Sequence, residues 1–136
     1  MAHPESKRKL AMVFIASSIA WIAILFIESS QPPAAIMGEV SGLDKVAHFM
    51  AFGVLVLLVY GVTSNIRPES AMYESFIPVV IVTIIGITDE LYQLSNPSRA
   101  FELLDLLADI SGAVISLSLF RFIFKRRLGR RYLLSK

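Results

Sequence analysis

The sequence predicts an all-α integral membrane protein, a bundle of four transmembrane helices with both termini in the cytoplasm. Apolar residues make up 55% of the chain and the mean hydropathy is +0.66. A soluble domain of 136 residues cannot bury that much apolar surface, whereas a bilayer solvates it directly. The apolar residues also fall into four separate runs, and the basic residues crowd toward the two ends of the chain. The length leaves room for one domain, which we expect to cover residues 1–136.

The four predicted spans differ in how clearly they stand out. They cover approximately residues 10–27, 46–62, 76–94 and 103–124. The first is uncharged, and we expect it to stay in the membrane as an anchor instead of being removed as a signal peptide. The third reaches spanning length only if its helix continues through Asp89, Glu90 and Gln93. The fourth contains Asp105 and Asp109 in its first half, so both of these spans carry polar residues at one end.

The basic residues determine the predicted orientation, because lysine and arginine resist translocation. Four spans place both termini and the loop at residues 63–75, with its predicted turn at Arg67-Pro68, on the same side of the membrane. That side then carries eleven basic and three acidic residues. The opposite side carries Lys45 and Arg99 against eight carboxylates. We therefore expect the first side to be cytoplasmic and the polar residues of the spans to be extracytoplasmic.

Three short polar stretches hold most of the unusual residues, and the predicted topology brings all three to the extracytoplasmic ends of the helices. Asp44 and His48 are four residues apart, so they share a helical face on which Asp44 can orient the imidazole. The other two stretches contain further carboxylates together with a glutamine and an arginine. The candidate ligand-binding residues are Asp44, Lys45, His48, Asp89, Glu90, Gln93, Arg99, Asp105 and Asp109.

These residues allow two interpretations. A carboxylate at the bilayer centre costs about 2.5–3.5 kcal/mol on insertion scales, and less near the interface. Pairing with Lys45, Arg99 and His48 offsets that cost, in which case the polar residues are a clamp that holds the helices together. The excess of carboxylates over bases favours a functional site instead, because a clamp needs no such excess.

The three stretches, in this order, resemble the VanZ-like family, which is named for an accessory teicoplanin-resistance protein. The resemblance rests on Asp44-Lys45-Val46-Ala47-His48-Phe49, on Asp89-Glu90 with Gln93 and Pro97-Ser98-Arg99, and on Asp105, Asp109 and Gly112. It covers approximately residues 44–112. Asp109 stands where the family usually has asparagine, and Glu102 where it usually has a small polar residue. Both differences add negative charge to this chain.

The resemblance implies a multi-pass protein of the bacterial plasma (inner) membrane, with low-level teicoplanin resistance as the implied phenotype. Our leading hypothesis is that the polar residues bind or process a lipid headgroup, a lipid-linked cell-wall precursor or a glycopeptide antibiotic. Lys45, Arg99 and His48 would hold a phosphate or carboxylate group of that ligand. Membrane lipids are therefore expected partners, whereas nucleic acid, a cofactor and a bound metal ion are not expected. The sequence leaves a homo-oligomer open.

The residues also leave other functions open. An enzyme acting on a lipid-linked substrate would use Glu90 or His48 as general base. Asp44 would then orient the base, and Arg99 would stabilise developing negative charge. The sequence contains no nucleophile elbow, phosphate loop or HExxH motif. A small transporter would instead use Asp109 and Glu90 as proton carriers. The absence of cysteine excludes disulfides, thiolate metal sites and cysteine nucleophiles.

Overall fold

The computed structural model describes residues 4–66, 70 and 72–134, with side chains as far as Phe124. The predicted turn at Arg67-Pro68 lies outside the described residues. Within them the chain is helical and contains no strand. The elements are α1 (Pro4–Ser30), α2 (Ala35–Glu39), α3 (Leu43–Ile66), a π-helical turn (Met72–Phe76), α4 (Ile77–Gln93) and α5 (Leu103–Leu134).

Four of these helical stretches are long and apolar enough to cross a membrane, which confirms the predicted all-α membrane fold with four spans. They are Glu5–Ser30, Leu43–Ile66, Met72–Gln93 and Leu103–Phe124. The first two begin several residues before the predicted spans, because an apolar run marks only the part of a helix that lies in hydrocarbon. The third does continue through its acidic residues, as its length required. The chain is therefore a multi-pass membrane protein.

Helix α3 is the centre of the bundle. It packs most extensively against α5 and then against α1, with fewer contacts to α4. Of the most hydrophobic 18 residues of each span, 39% are buried inside the protein in α3 but only 11% in α1. The core consists of α3 side chains with a few from α4 and α5: Phe52, Leu55, Val56, Val59, Val82, Ala113 and Leu117. Most other large apolar side chains are exposed on the outside of the bundle, where a bilayer would surround them.

Helices α3 and α5 approach each other closely at two glycines. A Cβ atom on Gly112 would overlap with the backbone of Phe49 in α3, including its carbonyl oxygen. A Cβ atom on Gly53 would lie 2.5 Å from Ser116 Oγ in α5. Small residues allow helix backbones to approach in membranes, where no hydrophobic force drives helices together. This contact fixes the polar residues of α3 against those of α5.

Helix α1 is held to the bundle by fewer, more specific contacts. Trp21 Nε1 donates a hydrogen bond to the carbonyl oxygen of Ala51 in α3 at 3.0 Å. Phe26 of α1 contacts the ring of Tyr92 in α4, with ring centroids 5.3 Å apart. Because α1 buries little surface, contacts of this kind determine its position.

Candidate functional site

Four helix ends meet at one end of the bundle, which we name the polar end. Ser29, near the end of α1, donates from Oγ to Asp89 Oδ1, near the end of α4, at 2.6 Å. Lys45, at the start of α3, lies with Nζ 2.8 Å from Oδ1 of Asp105, at the start of α5. The four long helices therefore alternate in direction. The beginning of α1 and the basic end of α5 lie at the opposite end of the bundle.

The first group at the polar end is the lysine cluster, formed by Asp44, Lys45, Glu102 and Asp105. Lys45 Nζ lies 2.6 Å from Asp44 Oδ2 and 2.8 Å from Asp105 Oδ1, and it also pairs with Glu102. Nζ donates hydrogen bonds to Asp44 and Glu102, whereas its contact with the buried Asp105 Oδ1 is an ion pair without hydrogen-bond geometry. The side chain of Glu102 is 50% exposed and that of Lys45 is 26% exposed. The lysine cluster is thus a partly solvated ion-pair network with a cation at its centre.

The second group is the histidine cluster, formed by His48, Glu90 and Asp109. His48 Nδ1 lies 2.9 Å from Asp109 Oδ1. Glu90 Oε2 accepts a hydrogen bond from the backbone N–H of Glu102 at 3.0 Å, just before α5 begins. The His48 ring lies nearly parallel to the ring of the core residue Phe52, with centroids 6.3 Å apart. The Glu90 and Asp109 residues are both 0% exposed, whereas the side chain of His48 is 15% exposed, so the two carboxylates are buried behind a partly accessible imidazole.

Two carboxylate oxygens of the histidine cluster have no hydrogen-bond donor among the residues that the structure describes. They are Glu90 Oε1 and Asp109 Oδ2, and both are buried. Leaving a buried polar group without a partner costs about 1–3 kcal/mol, and more for a charged one. Gly86 keeps the space beside Asp109 free, because a Cβ atom there would lie 3.0 Å from Asp109 Oδ2. The histidine cluster can therefore accept a hydrogen bond or hold an ion in addition to its internal contacts.

Asp89 and Gln93 form a third group, which joins α4 to α1. Asp89 is 2% exposed, and its Oδ1 accepts the hydrogen bond from Ser29. Gln93 Nε2 donates to Asp89 Oδ2 at 3.4 Å, one helical turn further along. Both carboxylate oxygens of Asp89 therefore have donors. These contacts position α1 at the polar end.

Arg99 lies in the loop between α4 and α5, and it caps the end of α1. Its Nε donates to the carbonyl oxygen of Gln31 at 3.1 Å and its Nη2 to that of Glu28 at 3.3 Å. Asn96, in the same loop, donates from Nδ2 to the carbonyl oxygen of Ser30 at 3.1 Å. The last carbonyls of a helix lack partners within the helix, so these side chains satisfy them. The loop thus closes over α1.

The structure brings most of the predicted site residues together but changes some of their partners. Eight of the nine belong to the lysine cluster, the histidine cluster or the Asp89 group, and Arg99 binds α1 carbonyls instead. The imidazole of His48 contacts Asp109, and not Asp44 as the four-residue spacing suggested, because Asp44 binds Lys45. Ser29 was missed. Its only signal in the sequence is its place among the polar residues that directly follow the first apolar run.

Two cavities lie outside these groups. One, of about 400 Å³, opens between α4 and α5 at the opposite end, beside Arg121, whose Nη2 lies 3.3 Å from Glu74 Oε2. The other, of about 240 Å³, lies at the polar end beside Ser30, Tyr92 and Asn96. The histidine cluster lines neither. Its geometry suits an ion or one polar group of a larger ligand, and not a whole enclosed molecule.

The charges at the polar end do not balance. The three groups contain six carboxylates, from Asp44, Asp89, Glu90, Glu102, Asp105 and Asp109, against the cation of Lys45 and the titratable ring of His48. Burying unbalanced charge in a low-dielectric region is costly. The polar end is therefore a site that attracts cations, protons or hydrogen-bond donors.

Comparison with known families agrees with the membrane fold and with the polar stretches. The model of the VanZ/LLP1 family matches residues 14–125, which is most of the chain. The matched segment contains every residue of the lysine and histidine clusters. No curated protein and no solved structure matches the chain.

Proposed function

The chain belongs to the VanZ/LLP1 family, and on that premise we propose that it binds or processes the polar part of an amphiphilic ligand at the polar end. The ligand is a lipid headgroup, a lipid-linked cell-wall precursor or a glycopeptide antibiotic. The protein lies in the bacterial plasma membrane with its termini in the cytoplasm, and its activity gives low-level resistance to teicoplanin. The observation that carries the proposal is the histidine cluster, in which two buried carboxylate oxygens have no hydrogen-bond donor among the described residues.

The position of the histidine cluster supports a headgroup ligand. His48 is five residues after the start of α3 at Leu43, which is about 7.5 Å along the helix axis. Glu90 is three residues before the end of α4 at Gln93. Both groups therefore lie about one turn below the helix ends. That depth corresponds to the boundary between headgroups and hydrocarbon, where the polar part of an amphiphile sits.

The charge distribution supports the proposed orientation. The end of α5 and the start of α1 carry most of the basic residues, and the polar end carries most of the acidic ones. Basic segments stay in the cytoplasm. The polar end then faces the outside of the cell, where cell-wall precursors and glycopeptides are found.

The arrangement also supports the processing form of the proposal. A buried carboxylate that holds one ring nitrogen of a histidine is the arrangement that orients a general base. Asp109 holds His48 in this way at 2.9 Å. In this form His48 takes a proton from the reacting group. Mass spectrometry of candidate lipid-linked substrates, incubated with the purified protein, would detect the product.

A resistance assay tests the proposal. The wild-type chain, Glu90→Gln and Glu39→Gln are expressed in a teicoplanin-sensitive Gram-positive host at matched membrane abundance, and the minimal inhibitory concentration is measured. Glu39 is an exposed carboxylate of α2, so its variant is a matched control for the loss of one charge. We expect the wild type and Glu39→Gln to raise the inhibitory concentration and Glu90→Gln to fail. Equal protection by all three would remove the histidine cluster from the function.

A second candidate function is purely structural, and specific contacts favour it. The Ser29–Asp89 hydrogen bond joins α1 to α4, and the Lys45–Asp105 ion pair joins α3 to α5. A clamp of this kind requires that each polar substitution lowers membrane abundance and thermal stability. The two candidates therefore differ in whether Glu90→Gln loses function while the folded protein remains.

A further inference from the structure

The histidine cluster contains more negative charge than the protein around it compensates. Glu90 and Asp109 are fully buried, and two of their four oxygens lack a donor among the described residues. Their remaining partners are one imidazole and one backbone N–H. Buried carboxylates in proteins are normally paired with cations or coordinate metals. The lysine cluster differs in its charge, because an ammonium group lies 2.8 Å from Asp105 Oδ1, the one oxygen of that cluster's described residues that is buried without a hydrogen bond.

The three side chains also have the spacing of a ligand set. One ring nitrogen of His48, one oxygen of Glu90 and one oxygen of Asp109 all lie within 4.8 Å of one another. Ligand atoms bound to one ion at about 2.1 Å are separated by about 3–3.5 Å, so small side-chain rotations would bring these three into coordination. They come from α3, α4 and α5, whose close packing at Gly112 and Gly86 holds the three side chains together.

We propose that His48, Glu90 and Asp109 bind one divalent transition-metal cation, Mn²⁺ or Zn²⁺. An imidazole nitrogen with two carboxylate oxygens suits these ions, whereas an all-oxygen set would suit magnesium or calcium. The charge of +2 neutralises the two carboxylates, and the ion takes the unpartnered oxygens as ligands. The carboxylate of Asp109, which is 0% exposed, supplies the second anionic ligand.

A second acidic group at the polar end is the natural comparison. Oxygens of Asp44, Glu102 and Asp105 also lie within 4.8 Å of one another. Lys45 binds all three, so an ammonium ion already occupies the position that a metal would take. We therefore expect one metal ion per chain, and we expect it in the histidine cluster.

Three protein ligands leave coordination positions open on the ion. A phosphate or carboxylate group of the amphiphilic ligand would complete the coordination, and this contact between ion and ligand rests on the proposed function. The metal site itself does not depend on it, because the ion can bind to the protein without a ligand. A bound cation would also explain how an acid-rich site holds an anionic headgroup, because it would bridge the carboxylates and the headgroup.

Metal titration of the purified full-length chain tests the proposal. After treatment with a chelator, the protein in detergent is titrated with Mn²⁺ and the free ion is measured by electron paramagnetic resonance, followed by competition with Zn²⁺. We expect saturation at one ion per chain. Glu90→Gln and Asp109→Asn are nearly isosteric, and each should weaken metal binding by at least about tenfold. Substituting a residue that only supports a metal ligand already costs about tenfold in affinity, so removing a ligand should cost no less. Glu39→Gln should bind as the wild type does. Size-exclusion chromatography and circular dichroism show whether each variant is folded.

Two results would overturn the proposal. The first is the absence of saturable binding of either ion at concentrations up to about 1 mM, which would leave a shared proton to compensate the carboxylates. The second is a loss of binding in Asp44→Asn but not in Glu90→Gln, which would move the ion to the lysine cluster. The resistance assay fails or succeeds separately. Protection against teicoplanin without metal binding would refute the metal site and leave the proposed function standing. Metal binding without protection would refute the proposed function and leave the metal site standing.

Discussion

The lysine cluster and the histidine cluster both join α3 to α5, and the histidine cluster also includes Glu90 of α4, yet they differ in how their charges are compensated. In the lysine cluster three carboxylates surround one ammonium group, and water reaches several of the side chains. In the histidine cluster two fully buried carboxylates share one imidazole and one backbone N–H. In the first arrangement an ammonium group offsets part of the negative charge, although the buried Asp105 Oδ1 has no hydrogen bond among the described residues. In the second arrangement Glu90 Oε1 and Asp109 Oδ2 can each still accept a hydrogen bond or bind a cation.

This difference separates two roles that the sequence could not separate. A partly solvated ion-pair network with a cation at its centre stabilises the bundle without a further ion. An incompletely satisfied buried network is costly and persists where function requires it. We therefore infer that the lysine cluster holds α3 and α5 together and that the histidine cluster is kept for binding. Substitutions in the two clusters should then have opposite effects on stability.

The largest effect is expected from Gly112→Ala, which breaks both clusters at once. The new methyl group would overlap with the Phe49 backbone and force α3 away from α5. Overpacking of this kind costs about 1–3 kcal/mol. We expect a cost near the upper limit here, because backbone atoms cannot rotate away from the new methyl group as a side chain can. Thermal unfolding in detergent would measure the loss.

Gly61→Ala is the control for that variant. The three atoms nearest to a Cβ atom there all belong to the side-chain ring of Phe14, and a ring can rotate away. The control should therefore lose clearly less stability. An equal loss of stability in both variants would mean that the close α3–α5 contact at the polar end contributes no more to stability than the contact at Gly61.

Lys45→Met should have the next largest effect, since it removes the centre of the lysine cluster. Asp44, Glu102 and Asp105 would then face one another without a cation, with Asp105 8% exposed. Breaking a buried ion pair costs about 3–5 kcal/mol, and partial exposure lowers this to about 1–3 kcal/mol here. The melting temperature measures the loss, and Lys45→Arg, which keeps the charge, should recover most of it. A Lys45→Met protein as stable as the wild type would contradict a structural role.

Ser29→Ala should have the smallest effect, because it removes one hydrogen bond outside both clusters. Asp89 would lose its donor at 2.6 Å but keep Gln93. The expected cost is about 1 kcal/mol, within the range for one hydrogen bond in a membrane bundle. Thermal unfolding at matched detergent concentration would detect it. Metal binding should be unchanged, and a large loss of binding would extend the site to α1.

The sequence predicted the four spans because their signals are local. Apolar run length and the position of basic residues require no knowledge of packing, and the runs around Leu25 and Leu55 are unambiguous. The candidate residues were also predictable, since charged groups inside spans are rare and stand out. Which residues pair was not predictable. Helical spacing pointed from His48 to Asp44, whereas the partner is Asp109, 61 residues away on another helix.

The partner of Arg99 shows the same limit. Its charge indicated an anionic ligand, but the guanidinium group binds carbonyl oxygens at the end of α1. Orphan carbonyls leave no mark in a sequence, because every helix has them. The separation of the polar residues into a cluster with a lysine cation and a cluster without one likewise depends on packing at Gly86 and Gly112, which composition does not reveal.

The most direct test of the comparison is the thermal stability of Glu90→Gln, measured beside Lys45→Met in the presence of a chelator. Glutamine keeps the acceptor for the Glu102 N–H and replaces the charged carboxylate, with its unpartnered Oε1, by a neutral amide. We predict a melting temperature equal to or above that of the wild type, because removing an uncompensated buried charge stabilises the fold. A decrease as large as that of Lys45→Met would contradict the account and make both clusters parts of one structural clamp.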